Sequence, residues 1–395
     1  MKAAKTQACR LRIASVRPVL LFVLCALSFV LLACNTLPVG YDQLRDRVTG
    51  AADTTLVPDA AESYVRYVPL GGSSMLYLGQ DSTYQARIII SFSILDTMSL
   101  DSITSFQLVL HQPDTQATMS FICRPCTSAW AEAGVSWLMA DSVNHWMNPG
   151  GDYLPETLAA GTMEGDSITI DFKYVGFDSV LRRTIRDCGV IIFPQDTGIV
   201  AIYSGASTST APRLRVTYTK KGKQTQRVIN ANADASLIDT DTTNSQLDLR
   251  VGSGVAFRTW LSFIVDSIPS EATIARADLK FKPETKYHRA DTVVLGASRM
   301  TESYGQKGAY ARFEELPIDT ASYVVPADSD SVVTIDVRSL VQLWTSRSDT
   351  LPNYGLLITA SPEWSELFRL RIPRSGSNAP RLEIQYVMPP EDRFR

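Results

Sequence analysis

The chain has 395 residues, 45% hydrophobic and 20% charged, with 38 Lys and Arg against 41 Asp and Glu and a formal charge of −3. This is ordinary globular composition, and it excludes a disordered, collagen-like or strongly basic nucleic-acid-binding chain. The charge is uneven: the first 33 residues hold five basic groups and no acid, and beyond them 33 Lys and Arg face 41 Asp and Glu, a net −8.

Lys2, Lys5, Arg10, Arg12 and Arg17 precede an apolar run from Pro18 to Leu32. The run is shorter than the roughly 20 residues a spanning helix needs. It ends at Leu31-Leu32-Ala33-Cys34, the pattern of a bacterial lipoprotein signal: large apolar residues, a small one, then the cysteine that is acylated. Cys25 follows Leu24, not a small residue. The expectation is a signal peptide over 1–33, lipidation of Cys34 and a tether over 34–55. A plain secretory signal or an uncleaved anchor is the competing reading. Asn35, rather than Asp, after the cysteine points to the outer membrane, on either face of it. The membrane partner is then reached through the acyl chains of Cys34.

The remainder is written twice. Residues 76–110 and 247–281 align without a gap at an offset of 171, and nine of the 35 pairs are identical, among them Leu78/Leu249, Arg87/Arg258, Phe92/Phe263 and Leu108/Leu279. About two identities are expected by chance. Both copies end alike, at Ala211-Pro212-Arg213-Leu214 and Ala379-Pro380-Arg381-Leu382. A unit of this length is a domain copied in tandem rather than a solenoid repeat. In the first copy, Arg87–Ile94, Gln107–Leu110, Ser167–Phe172, Gly189–Phe193 and Leu214–Tyr218 read as short strands. In the second, Leu247–Val251, Thr259–Val265, Ala277–Phe281, Ser331–Val337, Gly355–Thr359 and Arg381–Val387 do. Alternating apolar and polar residues and intervening turn residues carry that reading. Leu340-Val341-x-x-Trp344 is the one clear helical turn. Many short strands without helices predict an all-β chain of two tandem jelly-roll β-sandwich domains. The expected boundaries are 56–219 for the first domain, 220–231 for a polar linker containing Lys220, Lys221, Lys223 and Arg227, 232–388 for the second domain, and 389–395 for a tail.

After Cys34 the cysteines are Cys123, Cys126 and Cys188. Cys123-Arg124-Pro125-Cys126 has a C-x-x-C spacing, but a redox motif wants an α/β context, and a zinc site wants a fourth ligand that His111, His145 and His288 do not supply at ligand spacing. A structural disulfide or buried thiols are expected, and the spacing does not say which two pair.

The second copy runs Leu249-x-Val251-Gly252, Thr259-Trp260-Leu261-Ser262-Phe263, Asp266-Ser267-Ile268-Pro269, Ala277-Asp278-Leu279-Lys280-Phe281, Val333-Thr334-Ile335-Asp336, Leu340-Val341-x-x-Trp344, Asn353-Tyr354-Gly355 and Ala379-Pro380-Arg381-Leu382. In this order it resembles the DNRLRE (disaggregatase-related) domain. The likeness covers 232–388 well and 60–219 more weakly, where Thr169-Ile170-Asp171 and Gly189-Val190-Ile191-Ile192 remain but the counterpart of Trp344 does not. The resemblance implies a jelly-roll module of secreted and surface proteins, related to carbohydrate-binding modules that act on polyuronates such as alginate. The shared motifs are core and turn residues, so they speak for the fold more than for a ligand.

Candidate contacts are aromatic. Trp130 aligns with Tyr304 at an offset of 174, with Glu132 two residues on; the ring either stacks on a sugar or plugs a loop. An extra loop in the first copy holds Trp137, His145, Trp146 and Tyr153 beside Asp141, Asn144, Asn148 and Asp152. This is the chemistry of a sugar cleft, or of a loop stapled down by its own hydrophobes. Trp364 beside Glu363 is the second-copy candidate. Asp239-Thr240-Asp241 and Asp328-Ser329-Asp330 are the only hints of a structural Ca²⁺; no other cofactor or metal is expected. No catalytic signature is present, so the chain is expected not to be an enzyme. The expected function is non-catalytic binding of a glycan or polysaccharide at the cell envelope. The alternatives are a structural or adhesive spacer with an envelope protein partner, and a polysaccharide-degrading enzyme, which needs two carboxylates about 5–10 Å apart in one cleft.

Overall fold

The computed structural model describes residues 51–93, 103–172, 185–242, 248–325, 331–346 and 351–389. The signal, Cys34, most of the expected tether and the Asp328/Asp330 loop lie outside the described residues. No helix among those described is long and apolar enough to cross a membrane.

The first half is built from β3 (Met75–Gln80), β4 (Tyr84–Ser91), β5 (Ile103–His111), β6 (Met119–Pro125), β7 (Ala159–Met163), β8 (Ser167–Phe172), β9 (Val190–Pro194), β10 (Gly198–Tyr203) and β11 (Arg213–Lys220). Ahead of it lie β1 (Ala51–Leu56) and β2 (Ala60–Arg66); after it come β12 (Lys223–Asn230) and β13 (Ala233–Thr240). The second half holds β14 (Asp248–Ser253), β15 (Ala256–Ser262), β16 (Thr273–Phe281), β17 (Glu284–His288), β18 (Thr292–Arg299), the short α1 (Tyr304–Lys307), β19 (Asp319–Val324), β20 (Val333–Asp336), α2 (Arg338–Thr345), β21 (Leu356–Ala360), β22 (Phe368–Pro373) and β23 (Arg381–Val387). The all-β sandwich architecture is as expected.

Each half pairs a large sheet with a four-stranded one. In the first, β10-β3-β4-β9-β6-β7, with β13 added on β4, faces β12-β11-β5-β8. In the second, β17-β22-β14-β15-β21-β18-β19, with β2 added on β15, faces β1-β23-β16-β20. Strand by strand the two halves match except for β17, which has no counterpart among the described residues of the first. Alternation sets the facing: Ile168, Ile170 and Phe172 of β8 are buried while Ser167, Thr169 and Asp171 are exposed. The buried residues of both sheets close one core per half. Central strands behave differently. All five residues of β9 and of β21 are buried, which requires cover on both faces of the large sheets.

The arms are exchanged. β13, which precedes the second half, pairs along the whole of β4 in the first, with Ala233 opposite Ser91 and Leu237 opposite Arg87. β2, which precedes the first half, pairs along β15 in the second, with Ala60 opposite Ser262 and Tyr64 opposite Arg258. Likewise β12 borders β11, and β1 joins the second half's small sheet beside β23. The stretch 220–231, expected as a linker, is therefore a turn and a strand. Lys221 and Gly222 have φ of 50° and 71°, the two left-handed residues of a tight hairpin turn. The expected tether also ends early, since β1 begins at Ala51. Residues of both halves share a buried seam that includes Tyr77, Tyr84, Ile199, Val255, Phe257 and Leu367.

Candidate functional site

The outer face of the first half's large sheet is the surface on which the sequence candidates converge. Its register brings Phe193 of β9, Arg87 of β4 and Leu237 of β13 into adjacent rows, with Arg124 of β6 opposite Ile191. The long loop after β6 folds over part of this face. Trp137 and Trp146 are 6% and 5% exposed and pack with Ile89, Cys126, Val135, Ile191, Phe193, Ala235 and Leu237. Trp146 Nε1 donates to the Ser136 carbonyl at 2.9 Å, and Trp130 Nε1 donates to the Cys188 carbonyl at 2.9 Å. Both polar handles are thus spent inside the protein.

This corrects the expectation that Trp137 and Trp146 stack on a sugar. Their apolar area gains more by covering the sheet than by facing water, and Trp130 is half-buried against the same cluster. The polar residues of the loop are also engaged. Asp152 is buried and accepts from Ser128 Oγ at 2.7 Å and from the backbone N–H groups of Met147 and Asn148. Asp141 accepts from the N–H groups of Val143 and Asn144 and from the Asn144 amide. The loop is held by its own residues, and of the five ring candidates only Tyr153, 37% exposed, and Trp364, 45% exposed, face solvent to that extent. Trp364 lies apart, over Gly72.

At the open margin the structure assembles a group that the motif reading passed over. The Arg87 guanidinium lies 4.6 Å from the Trp137 ring centre and 4.8 Å from that of Phe193. The Arg124 guanidinium lies 5.1 Å from Tyr153 and 5.4 Å from Phe193. Tyr153 meets Phe193 edge-on at 4.7 Å. One phenylalanine ring therefore serves two cations. Arg87 Nη1 donates to the Gly150 carbonyl at 2.8 Å. Gly150 has φ +84°, and a Cβ there would lie 2.5 Å from that nitrogen, so glycine is needed for the approach. The Nε of each arginine is buried without a hydrogen-bond partner, and neither arginine has an ion pair among the described residues. Burial pulls the Arg87 pKa down; Tyr153 and then Asp239 oppose it more weakly. Asp239 itself accepts from Tyr67 Oη at 2.6 Å, which, after burial, helps to raise the Tyr67 pKa.

The counterpart in the second half is neutralised. Arg258 donates from Nε and Nη2 to the two Glu363 oxygens at 2.8 and 2.7 Å, a two-pronged pair with both side chains 15% exposed. Burial acts to lower its pKa, and the Glu363 bonds and charge outweigh this and leave it raised. Arg124 corresponds to Ser298 at an offset of 174. The face around Arg258 is covered by a ring stack: Tyr304 lies 4.7 Å from Trp260 and 5.7 Å from Tyr64, and Trp260 Nε1 donates to the Tyr354 carbonyl.

One buried carboxylate lies beside a second acid. The Asp234 backbone N–H donates to Glu132 Oε1 at 3.3 Å, and the Asp234 carboxylate accepts from the Gly205 N–H at 2.6 Å. Burial pushes the Asp234 carboxyl up to about 7, and Glu132 adds to that; the Gly205 bond opposes it. Asp234 is 1% exposed, however, so it offers a glycosidic bond no open flank. Among the described residues no three His, Cys, Asp or Glu side chains gather to hold a metal ion. Asp239 and Asp241 instead line an open cleft with Asp81, Thr83 and Gln85.

No protein-family model matches the chain, and no curated protein matches it. The resemblance to the DNRLRE domain thus stands on its motifs. Among solved structures, the chain is similar to the N-terminal tandem CBM22 domain of Paenibacillus barcinonensis Xyn10C, at 7% identity over 84% of this chain and 100% of that one, with a TM-score of 0.16. A likeness that low carries no argument about ligand or descent.

Arg87 was visible in the sequence as one of the nine repeat identities, paired with Arg258. Arg124 sits inside the C-x-x-C motif, whose spacing draws attention to the cysteines and not to the residue between them. The usable signal was an arginine at an otherwise apolar strand position.

Proposed function

We propose that this is a non-catalytic binding protein for an acidic polysaccharide, carried at the outer membrane by acyl chains on Cys34. The observation that supports it is the asymmetry between equivalent positions: Arg258 has Glu363, whereas Arg87, with Arg124 beside it, has no ion-pair carboxylate among the described residues. Two half-buried guanidiniums around one ring are costly without a counter-ion. A carboxylate on a ligand supplies one, and the planar donors of arginine suit it. Tyr153 offers a ring edge to the sugar. The DNRLRE resemblance, with its polyuronate-binding relatives, points the same way.

The burial of Trp137 and Trp146 favours a second reading, a structural or adhesive spacer that binds an envelope protein. Affinity electrophoresis separates the two. The purified protein should be retarded by a carboxylate-bearing polymer such as polygalacturonate and not by dextran, the retardation should fall with salt, and Arg124→Gln should weaken it about tenfold or more, the scale of a lost charge-assisted contact. Equal retardation by neutral polymers would overturn the acidic preference, and none by any polymer would turn the assignment toward the spacer.

A further inference from the structure

The three cysteines of the body are unbridged and buried, but they are not equivalent. Cys123 lies on the inward side of β6, packed in the first-half core with Leu158, Ile192 and their neighbours. Cys126 and Cys188 both pack on the outer side, in the cluster under the long loop. The Cys126 N–H donates to the Gly189 carbonyl at 3.0 Å, continuing the register in which Pro125 faces Val190. Cys188 is one residue from that position, about 6 Å away for antiparallel neighbours offset by one. The Cys188 thiol is close enough for its charge to be felt at Cys126. A disulfide needs Cα atoms about 4.4–6.8 Å apart. Cys123 fails for both partners: it is three residues from Cys126 along an extended strand, roughly 10 Å, and it faces Ile192, four residues from Cys188, roughly 13 Å along the strand.

We infer that Cys126 and Cys188 form a disulfide when the chain folds in the presence of a disulfide oxidant, and that Cys123 remains a thiol. The step is two thiol–disulfide exchanges. One protein thiolate attacks a sulfur of the oxidant, releasing a first thiol. The second protein thiolate then displaces the remaining oxidant half, so that the protein S–S bond forms, the oxidant S–S bond breaks, and both protons leave on the two product thiols. Exchange needs thiolate, and burial pushes Cys126 up to about 12, so the bridge closes while the loop is still open. Once formed, it ties the start of the long loop, where Cys126 also bridges Tyr153, to the helical turn at 185–188, and so fixes the cover beside Arg87.

The test is refolding of the full chain with oxidised glutathione, alkylation of the remaining thiols, and mass mapping of a non-reduced digest. The expected result is one linked peptide containing Cys126 and Cys188, alkylated Cys123, and the same bridge in Cys123→Ala but not in Cys188→Ser. The bridged protein should also melt several degrees above the reduced one. A bridge that includes Cys123 or Cys34, or alkylation of both Cys126 and Cys188 after oxidative refolding, would overturn the inference.

Discussion

The two halves carry the same arginine at the same place on the same sheet and treat it in opposite ways. In the second half Arg258 is locked to Glu363 and the surrounding face is closed by the Tyr64, Tyr304 and Trp260 rings. In the first half Arg87 rests on Trp137 and Phe193, gains a second cation in Arg124, and has a carbonyl where its twin has a carboxylate. A duplicated scaffold keeps its strands because the cores require them, while the outer faces are free to diverge. The neutralised copy shows what the position costs when it serves stability alone. The unneutralised copy is where a ligand has something to contribute.

The largest expected effect tests the exchanged arms. Deleting residues 51–66 removes β1 and β2, leaving β15 without its full-length neighbour and β23 at an edge. The second half should lose most of its stability, on the order of 5 kcal/mol or more, while the first half, completed by β12 and β13, keeps its protection in hydrogen exchange. If the first half opens instead, the exchange of arms is wrong.

Next is the arginine itself. Glu363→Ala leaves Arg258 buried and unpaired and should cost about 3–5 kcal/mol by chemical denaturation. Arg87→Met removes one carbonyl hydrogen bond and two ring contacts and should cost only about 1–2 kcal/mol. Equal costs would remove the contrast between the halves.

A further contrast concerns pH. The Asp234 carboxyl stands near 7 in the folded chain against an ordinary 3.8, so the folded state holds that proton more tightly than the unfolded one. Stability from this group is greatest below about 4, falls as pH rises toward about 7, and the penalty is complete above that, at most about 4 kcal/mol. Asp234→Asn should therefore melt higher than the parent at pH 8 and show a flatter stability profile between pH 5 and 8. The corresponding second-half residue, at an offset of 173, is Ala61, and Ala61→Ser should leave the profile unchanged. A mutant profile parallel to the parent's would sink the assignment.

The strands with clear alternation were legible in the sequence, as β8, β16 and β23 show, and so were the duplication and α2. The arms were not. β12 is an exposed edge strand with almost no buried residue, so Lys220 to Asn230 carries no period-2 signal, and its Lys-Gly turn lacks the common Asn-Gly signature. Pairing between halves leaves no local trace at all. The aromatic loop was found as a loop, but composition does not say whether a tryptophan covers a sheet or faces a sugar; Trp137 and Trp146 proved to be cover. The arginine pair was hidden because its members lie on β4 and β6, joined only by Phe193 of β9.

The crossing of the arms also sets an order of events. The Ser262 hydroxyl meets the Asp59 carboxylate across 203 residues of chain, whereas β12 meets β11 through a two-residue turn. A chain emerging from its N-terminus can therefore finish its first sandwich while the arm that precedes it still has nothing to dock against. That arm, with Tyr64 and Val65 on it, must remain unpaired until β15 and then β23 arrive to receive it.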